Sequence, residues 1–93
     1  MANATIHDLR QLIRSVNYVV STHAAEELED DQLTTFDLEN IILTGAIVER
    51  QRDATSRETK YVVLGRTVGH EQAEAVVKIG FTGKLVIITV YLA

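Results

Sequence analysis

His23 is the residue whose type and position best suit chemistry, because it follows Ser21 and Thr22, either of which can cap a helix starting there. An imidazole in a helix's first turn sits at the positive end of the peptide dipoles, which disfavours its protonation. A neutral ring in that position can serve as a general base or donate a hydrogen bond to phosphate. The structural alternative is a ring packed on the sheet edge and bonded to a backbone carbonyl. A second group is basic: Arg50, Arg52, Arg57, Lys60 and Arg66 fall within seventeen residues. Guanidinium groups grip phosphate through paired donors. Tyr61 and Tyr91 would have to stack on bases, since the chain has no Trp. A solvated strand edge, protected by charge from edge-to-edge pairing, explains the same residues. A third group is acidic: Glu26, Glu27, Glu29, Asp30 and Asp31 crowd the end of the same helix, against its dipole. That arrangement fits a basic partner or self-association, and equally a solvated helix exit.

Other chemistries are excluded by what the chain lacks. It has no Cys, so thiol catalysis, thiolate metal sites and a disulfide framework are ruled out. His7 and His70 have no partner at metal-ligand spacing, and no metal or cofactor is expected. The loop Gly65-Arg66-Thr67-Val68-Gly69 lacks the Gly-Lys-Ser/Thr ending of a phosphate-binding loop, and no Gly-x-Ser-x-Gly elbow occurs. The net charge of −4 argues against broad, non-specific binding of polyanions. Charge is unevenly spread, however. Residues 21–45 hold seven acids and no Lys or Arg, whereas residues 46–93 hold seven bases against five acids. The longest apolar stretch, Leu85 to Ala93, is too short to span a bilayer, and the first residues carry no export signal, so a cytoplasmic location is expected.

These groups must be positioned by short elements within one domain, which 93 residues suffice to build. Thr5-Ile6-His7-Asp8 is a capping box with Asp in place of Glu, and Ile6, Leu9, Leu12, Ile13 and Val16 follow at helical spacing, predicting a helix over 6–16. Tyr18 to Val20 is a short extended piece. Ala24, Ala25 and Leu28 mark the inner side of a second helix over 22–31. Thr34 to Asp37 repeats the capping box and opens a third over 35–44, with Gly45 as the C′ glycine that stops it. After Gly45 the apolar period becomes two. Strands are predicted from Ala46 to Arg50, Lys60 to Leu64, Ala73 to Phe81 and Lys84 to Tyr91, with a polar loop over 51–59. The expected fold is α+β: N-terminal helices packed on one face of a four-stranded, mainly antiparallel sheet, the C-terminal half forming a β-meander.

If Thr82-Gly83 is a two-residue turn, Ile79 pairs with Val86, Val77 with Ile88 and Ala75 with Val90, giving an apolar face to lie against the helices. The opposite face then pairs Lys78 with Ile87, Val76 with Thr89 and Glu74 with Tyr91. A one-residue slip would exchange the two faces.

The ordered set Ser21-Thr22-His23-Ala24, Gly45-Ala46-Ile47-Val48-Glu49, Tyr61-Val62-Val63-Leu64-Gly65 and Ile88-Thr89-Val90-Tyr91 resembles the bacterial domain-of-unknown-function family 4258 over roughly residues 18–91. Residues 1–17 then form an N-terminal helix beside a family-like core over 18–93. The family's layout is similar to RelE-like and barnase-like ribonuclease toxins, in which a sheet face carries His, Arg, Lys and Tyr. The resemblance implies His23 as base, Arg66 and Lys78 holding phosphate and Tyr91 orienting substrate, in a metal-independent cleavage of RNA by 2′-hydroxyl attack. Arg50, Lys60, Tyr61 and Thr89 would contact the substrate. Basic residues usual in the family four and eight positions after the helix-opening His are here Glu27 and Asp31. Two functions therefore stand. One is a non-catalytic interaction module or divergent toxin-like protein, with a protein partner or a second copy and no membrane. The other is the toxin-like endoribonuclease, with RNA as ligand. The nuclease requires His23, Arg66, Lys78 and Tyr91 to converge within one phosphodiester's reach.

Overall fold

Short polar side chains set the three helix starts. Thr5 accepts the Asp8 amide while the Asp8 carboxylate accepts the Thr5 amide, and Thr34 and Asp37 make the same exchange. Ser21 accepts the Ala24 amide at 3.0 Å. In the computed structural model, which describes residues 3–93, these caps open α1 (Ile6–Arg14), α2 (Thr22–Asp30) and α3 (Thr35–Thr44). α1 stops two residues short of the expected end because Ser15 caps it and Val16 turns left-handed, with φ 57°.

The strands are β1 (Tyr18–Val20), β2 (Ala46–Arg52), β3 (Thr59–Arg66), β4 (Gln72–Ile79) and β5 (Leu85–Leu92). They form one sheet in the order β1-β5-β4-β3-β2. The α+β class holds, but the expected four-stranded, mainly antiparallel sheet does not: the sheet has five strands and is mixed. Tyr18 to Val20 lies parallel to Leu85 to Ile87, while the other pairings are antiparallel. Three residues are too few to show an alternation, and their partner lies more than sixty positions away, so local pattern could not reveal this strand's place.

The last hairpin departs from the expected register near its turn. Gly80 donates to the Lys84 carbonyl at 2.8 Å, so the turn holds three residues, Phe81-Thr82-Gly83, with Gly83 at φ +88°. This is a three-residue loop with glycine in the left-handed position. Val77 therefore pairs with Ile87 and Ile79 with Leu85. A bulge at Ile88 then restores the expected pairs, Val76 with Thr89, Ala75 with Val90 and Glu74 with Tyr91. Leu85 and Ile87, not Val86 and Ile88, face the helices and are fully buried.

The core lies between one sheet face and the helices. Leu9 and Ile13 of α1 and Leu38, Ile41 and Ile42 of α3 pack with Val63, Ala75, Val77, Leu85, Ile87 and Val90. Burying each large side chain contributes about 1.5–3 kcal/mol. Gly45, expected as a left-handed helix stop, is extended instead, at φ −89° and ψ 173°. Its use is steric. A Cβ there would lie 2.5 Å from the Ile41 carbonyl oxygen, and one on Gly65 would lie 2.0 Å from the same atom. The two glycines let α3 lie directly on β3. α2 instead runs along β5, where β1 has ended.

Candidate functional site

The other sheet face carries no helix. By strand alternation and register, its rows run across the sheet. One row holds Gln51, Lys60, Lys78, Val86 and Val19; the next holds Glu49, Val62, Val76 and Thr89; a third holds Ala46, Leu64, Glu74 and Tyr91. Val62 is buried yet lies outside the core cluster, as expected of a residue covered only by its neighbours on this face. Val76, Val86, Ile88 and Leu64 are half-buried, and Val19 is exposed. The centre of this face is thus an apolar band, with charge at either end.

α2 closes the edge of β5 beside this face with side chains. The Ser21 amide donates to the Ile87 carbonyl at 3.0 Å, and the Ser21 hydroxyl donates to the Ile88 carbonyl at 2.9 Å. Glu27 Oε1 accepts the Val90 amide at 3.0 Å and also the Thr89 hydroxyl. His23 Nε2 lies 3.4 Å from the same oxygen. The strand edge left open by short β1 is therefore satisfied by Ser21 and Glu27, as backbone groups with no water or strand to bond require.

Each residue singled out in the sequence can now be placed. His23 is in the first turn of α2 as expected, with its side chain 68 % exposed, and it sits with Glu27 and Thr89. The Tyr91 hydroxyl donates to Glu74, its cross-strand partner. That bond, partial desolvation and the nearby charges of Glu74, Glu49 and Glu27 raise the Tyr91 pKa and keep its phenol protonated. His23, Thr89 and Tyr91 thus share one end of the face with three carboxylates. Lys78 lies four residues from Glu74 along β4, about 13 Å away at strand rise, beside Lys60 and paired with Glu58 at 3.1 Å. Arg66 stands at the far rim, donating to the His70 carbonyl at 3.4 Å. The four groups required for phosphodiester cleavage are spread along the face and not gathered on one point of it.

Arg50 and Tyr61 occupy the helix-covered side. Tyr61 is 4 % exposed, and its hydroxyl accepts the Ala4 amide at 2.9 Å. Arg50 lies over its ring at 5.8 Å and donates to the Ala4 carbonyl at 3.4 Å. This pair ties the segment before α1 to the sheet and leaves Tyr61 no open ring face for a base. Next to it, an open cleft of about 530 Å³ is bordered by Arg52, Arg57 and Phe81. Among the described residues, no group of three His, Asp or Glu side chains is placed to hold a metal ion. No helix among them is long and apolar enough to cross a membrane.

Glu49 and Glu58 are site residues that reasoning from sequence left out, and it gave no contact with His23 or Tyr91 side chains to Glu27 and Glu74. Two signals pointed to them: the i,i+4 spacing of His23 and Glu27, and the cross-strand pairing of Glu74 with Tyr91. A third polar group was hidden altogether. Asp37, Asn40 and Thr44 line one side of α3 and hold the β3–β4 connection: Asp37 accepts the Val68 amide at 3.0 Å, Asn40 donates to the Arg66 and Thr67 carbonyls, and Thr44 accepts the Arg66 amide.

A family model described as Domain of unknown function (DUF4258) matches residues 20–92. The chain belongs to this family. The match begins at the end of β1 and takes in α2, α3 and the four remaining strands, so α1 lies outside the family's shared core. No match was found among curated proteins or among solved structures.

Proposed function

We propose that this DUF4258 domain is a non-catalytic interaction module whose helix-free sheet face docks a protein. One observation carries the reading: an apolar band of Val62, Leu64, Val76, Val86 and Ile88 occupies that face, and carboxylates engage the polar groups around it. Glu27 engages Thr89 and lies beside His23, Glu58 holds Lys78, and Glu74 holds Tyr91. A phosphate brought to the His23 end of this face would meet Glu27, Glu49 and Glu74, with Lys60 and Lys78 at the other end. Apolar area rimmed by charge is the composition of a protein-docking surface.

The test is a photoreactive amino acid in place of Val76 in the full chain, irradiated in cells. A covalent protein adduct is expected from position 76 and none from Val68 on the β3–β4 connection. Absence of any adduct from position 76 would remove the proposal.

The exposure of His23 beside Thr89 and Tyr91 is the observation that favours the second reading, a toxin-like, metal-independent endoribonuclease. Purified protein incubated with single-stranded RNA beside a His23→Ala control decides it. The interaction module predicts equal, background cleavage by both. Loss of a clear cleavage pattern in the His23→Ala protein would establish the nuclease.

A further inference from the structure

The outward charge of β4, the middle strand of the helix-free face, is antisymmetric about Val76, and from this we infer that the occupant of the face is a second copy of the same chain. The inference rests on the reading of that face as a docking surface. On β4 the outward residues run Lys78, Val76, Glu74, so equal and opposite charges stand two positions either side of a valine. The neighbouring strands add bases at one end only. Lys60 and Lys84 lie toward the Lys78 end, whereas Glu49 and the Glu27 carboxylate on Thr89 stand level with Val76 at the two sides of the sheet. Glu58 holds the Lys78 ammonium in place at the first end, and Arg66 stands beyond the acidic group at the far rim.

A closed dimer buries the same patch on both copies. Two sheets meeting face to face can be related by a two-fold axis lying between them, either along the strands or across them. An axis along the strands would stack Lys78 near Lys78, which like charge disfavours. An axis across the strands at the level of Val76 reverses one sheet against the other. Lys78 of each copy then faces Glu74 of the partner subunit, twice per dimer, while Val76 and Val62 meet their own counterparts at the centre; Glu49, exposed on the edge strand β2, meets its counterpart only at the margin, where solvent screens like charge. Aligned sheets pack in this way about 10 Å apart. Size is sufficient. Four strands of seven or eight residues and the three residues of β1, spaced about 4.8 Å, cover on the order of 500 Å² a side, or about 1,000 Å² in all, the low end of specific interfaces. Association in the micromolar range is therefore expected, strengthened by low salt.

The experiment is sedimentation velocity on the purified full chain up to about 1 mM, with four proteins: wild type, Lys78→Glu, Glu74→Lys and the double exchange. Each single reversal places like charges across the axis and is expected to weaken dimerisation at least about tenfold. The double exchange restores opposite charges across the axis and is expected to return the affinity to within about threefold of wild type. Since the double variant still lacks the Lys78–Glu58 pair, its recovery cannot come from within one copy. Circular dichroism checks that all four are folded, and Val76→Asp, also folded, is expected to be monomeric. A wild type that stays monomeric at the highest concentration overturns the inference, as does a double variant no tighter than the singles. A monomeric wild type whose position-76 photo-adduct has the mass of a different protein would refute the second copy and leave the docking surface standing. Loss of both dimer and adduct would refute both.

Discussion

Removing the Glu27 carboxylate tests whether α2 serves as the missing strand at the edge of β5. In Glu27→Ala the Val90 amide loses its acceptor, and Val90 is 1 % exposed, so water cannot readily take that place. An orphaned buried N–H costs about 1–3 kcal/mol. For a domain this small each kcal/mol lowers the melting temperature by about 4–8 °C, so a fall of at least about 4 °C is expected. The Thr89 hydroxyl adds little, because it is half-buried and free to rotate toward solvent. Glu27→Gln keeps a carbonyl oxygen for Val90 and should lose less than the alanine variant. Glu27→Lys, which supplies the cation expected four positions after the helix-opening His, brings a donor against a donor and should lose more. His23→Ala should cost under about 1 kcal/mol, since the ring is exposed and its contact with Glu27 is a surface one. The assays are thermal unfolding by circular dichroism at pH 7 and hydrogen exchange at the Val90 amide. If Glu27→Ala melts within a degree of wild type and Val90 keeps its protection, Glu27 is not what closes this edge.

Three further perturbations reach other parts of the fold. Gly65→Ala drives a Cβ to 2.0 Å from the Ile41 carbonyl oxygen, a backbone atom that cannot swing aside; a loss of about 1–3 kcal/mol or more is expected in urea unfolding, and an unchanged midpoint would contradict the close packing of α3 on β3. Burial, with the bond donated to Glu39 at 2.6 Å, pushes the Tyr18 pKa up from 10.0 to about 12. Because the folded value is raised, its contribution is fully present below pH 10 and lost as pH rises through 12, so absorbance near 295 nm should show a tyrosine ionising only near pH 12 that disappears in Tyr18→Phe. The Thr34 amide, followed by the Val68 amide and the Thr34 hydroxyl, holds the Asp37 carboxyl below its ordinary value of 3.8. A depressed value stabilises above that pH and is lost as pH falls through the folded value, so wild type should lose more stability than Asp37→Asn between pH 5 and pH 2.5.

How far the fold could be read in the sequence depended on how local its determinants were. The capping boxes at Thr5 and Thr34 and the cap at Ser21 each involve residues three apart, and all three helices begin where those signals stand. The expected pairs Val76–Thr89, Ala75–Val90 and Glu74–Tyr91 also hold, since alternation beyond the bulge is regular. Determinants that join distant segments were not readable. Gly45 ends α3 as expected, but its extended backbone and the Val63 side chain that leaves no room for a Cβ there depend on another strand. Tyr61 looks like a stacking platform, but the segment before α1 folds over it. The candidate site followed the same rule. His23, Thr89 and Tyr91 were identified by type, whereas the carboxylates that engage or adjoin them became meaningful only once α2 lay against β5 and β4 against β5.

The bulge at Ile88 connects these observations. Up to Ile87 the outer edge of β5 presents its odd-numbered residues: the Leu85 amide bonds the Asn17 carbonyl, and the Ile87 carbonyl accepts the Ser21 amide. A regular strand would next offer the Thr89 amide. The extra residue shifts the parity, so the edge instead offers the Ile88 carbonyl to the Ser21 hydroxyl and the Val90 amide to Glu27. Parallel pairing with β1 ends at this same point, and α2 takes over. The bulge also leaves Ile88 on the helix-free side next to Thr89, widening the apolar band between Lys78 and Glu74. The three-residue turn at Gly83 works in the same direction by turning Val86 outward and Leu85 inward. Two departures from simple alternation thus create both the capped edge and the surface on which the proposed function depends, and they fall where local sequence pattern and global fold disagree.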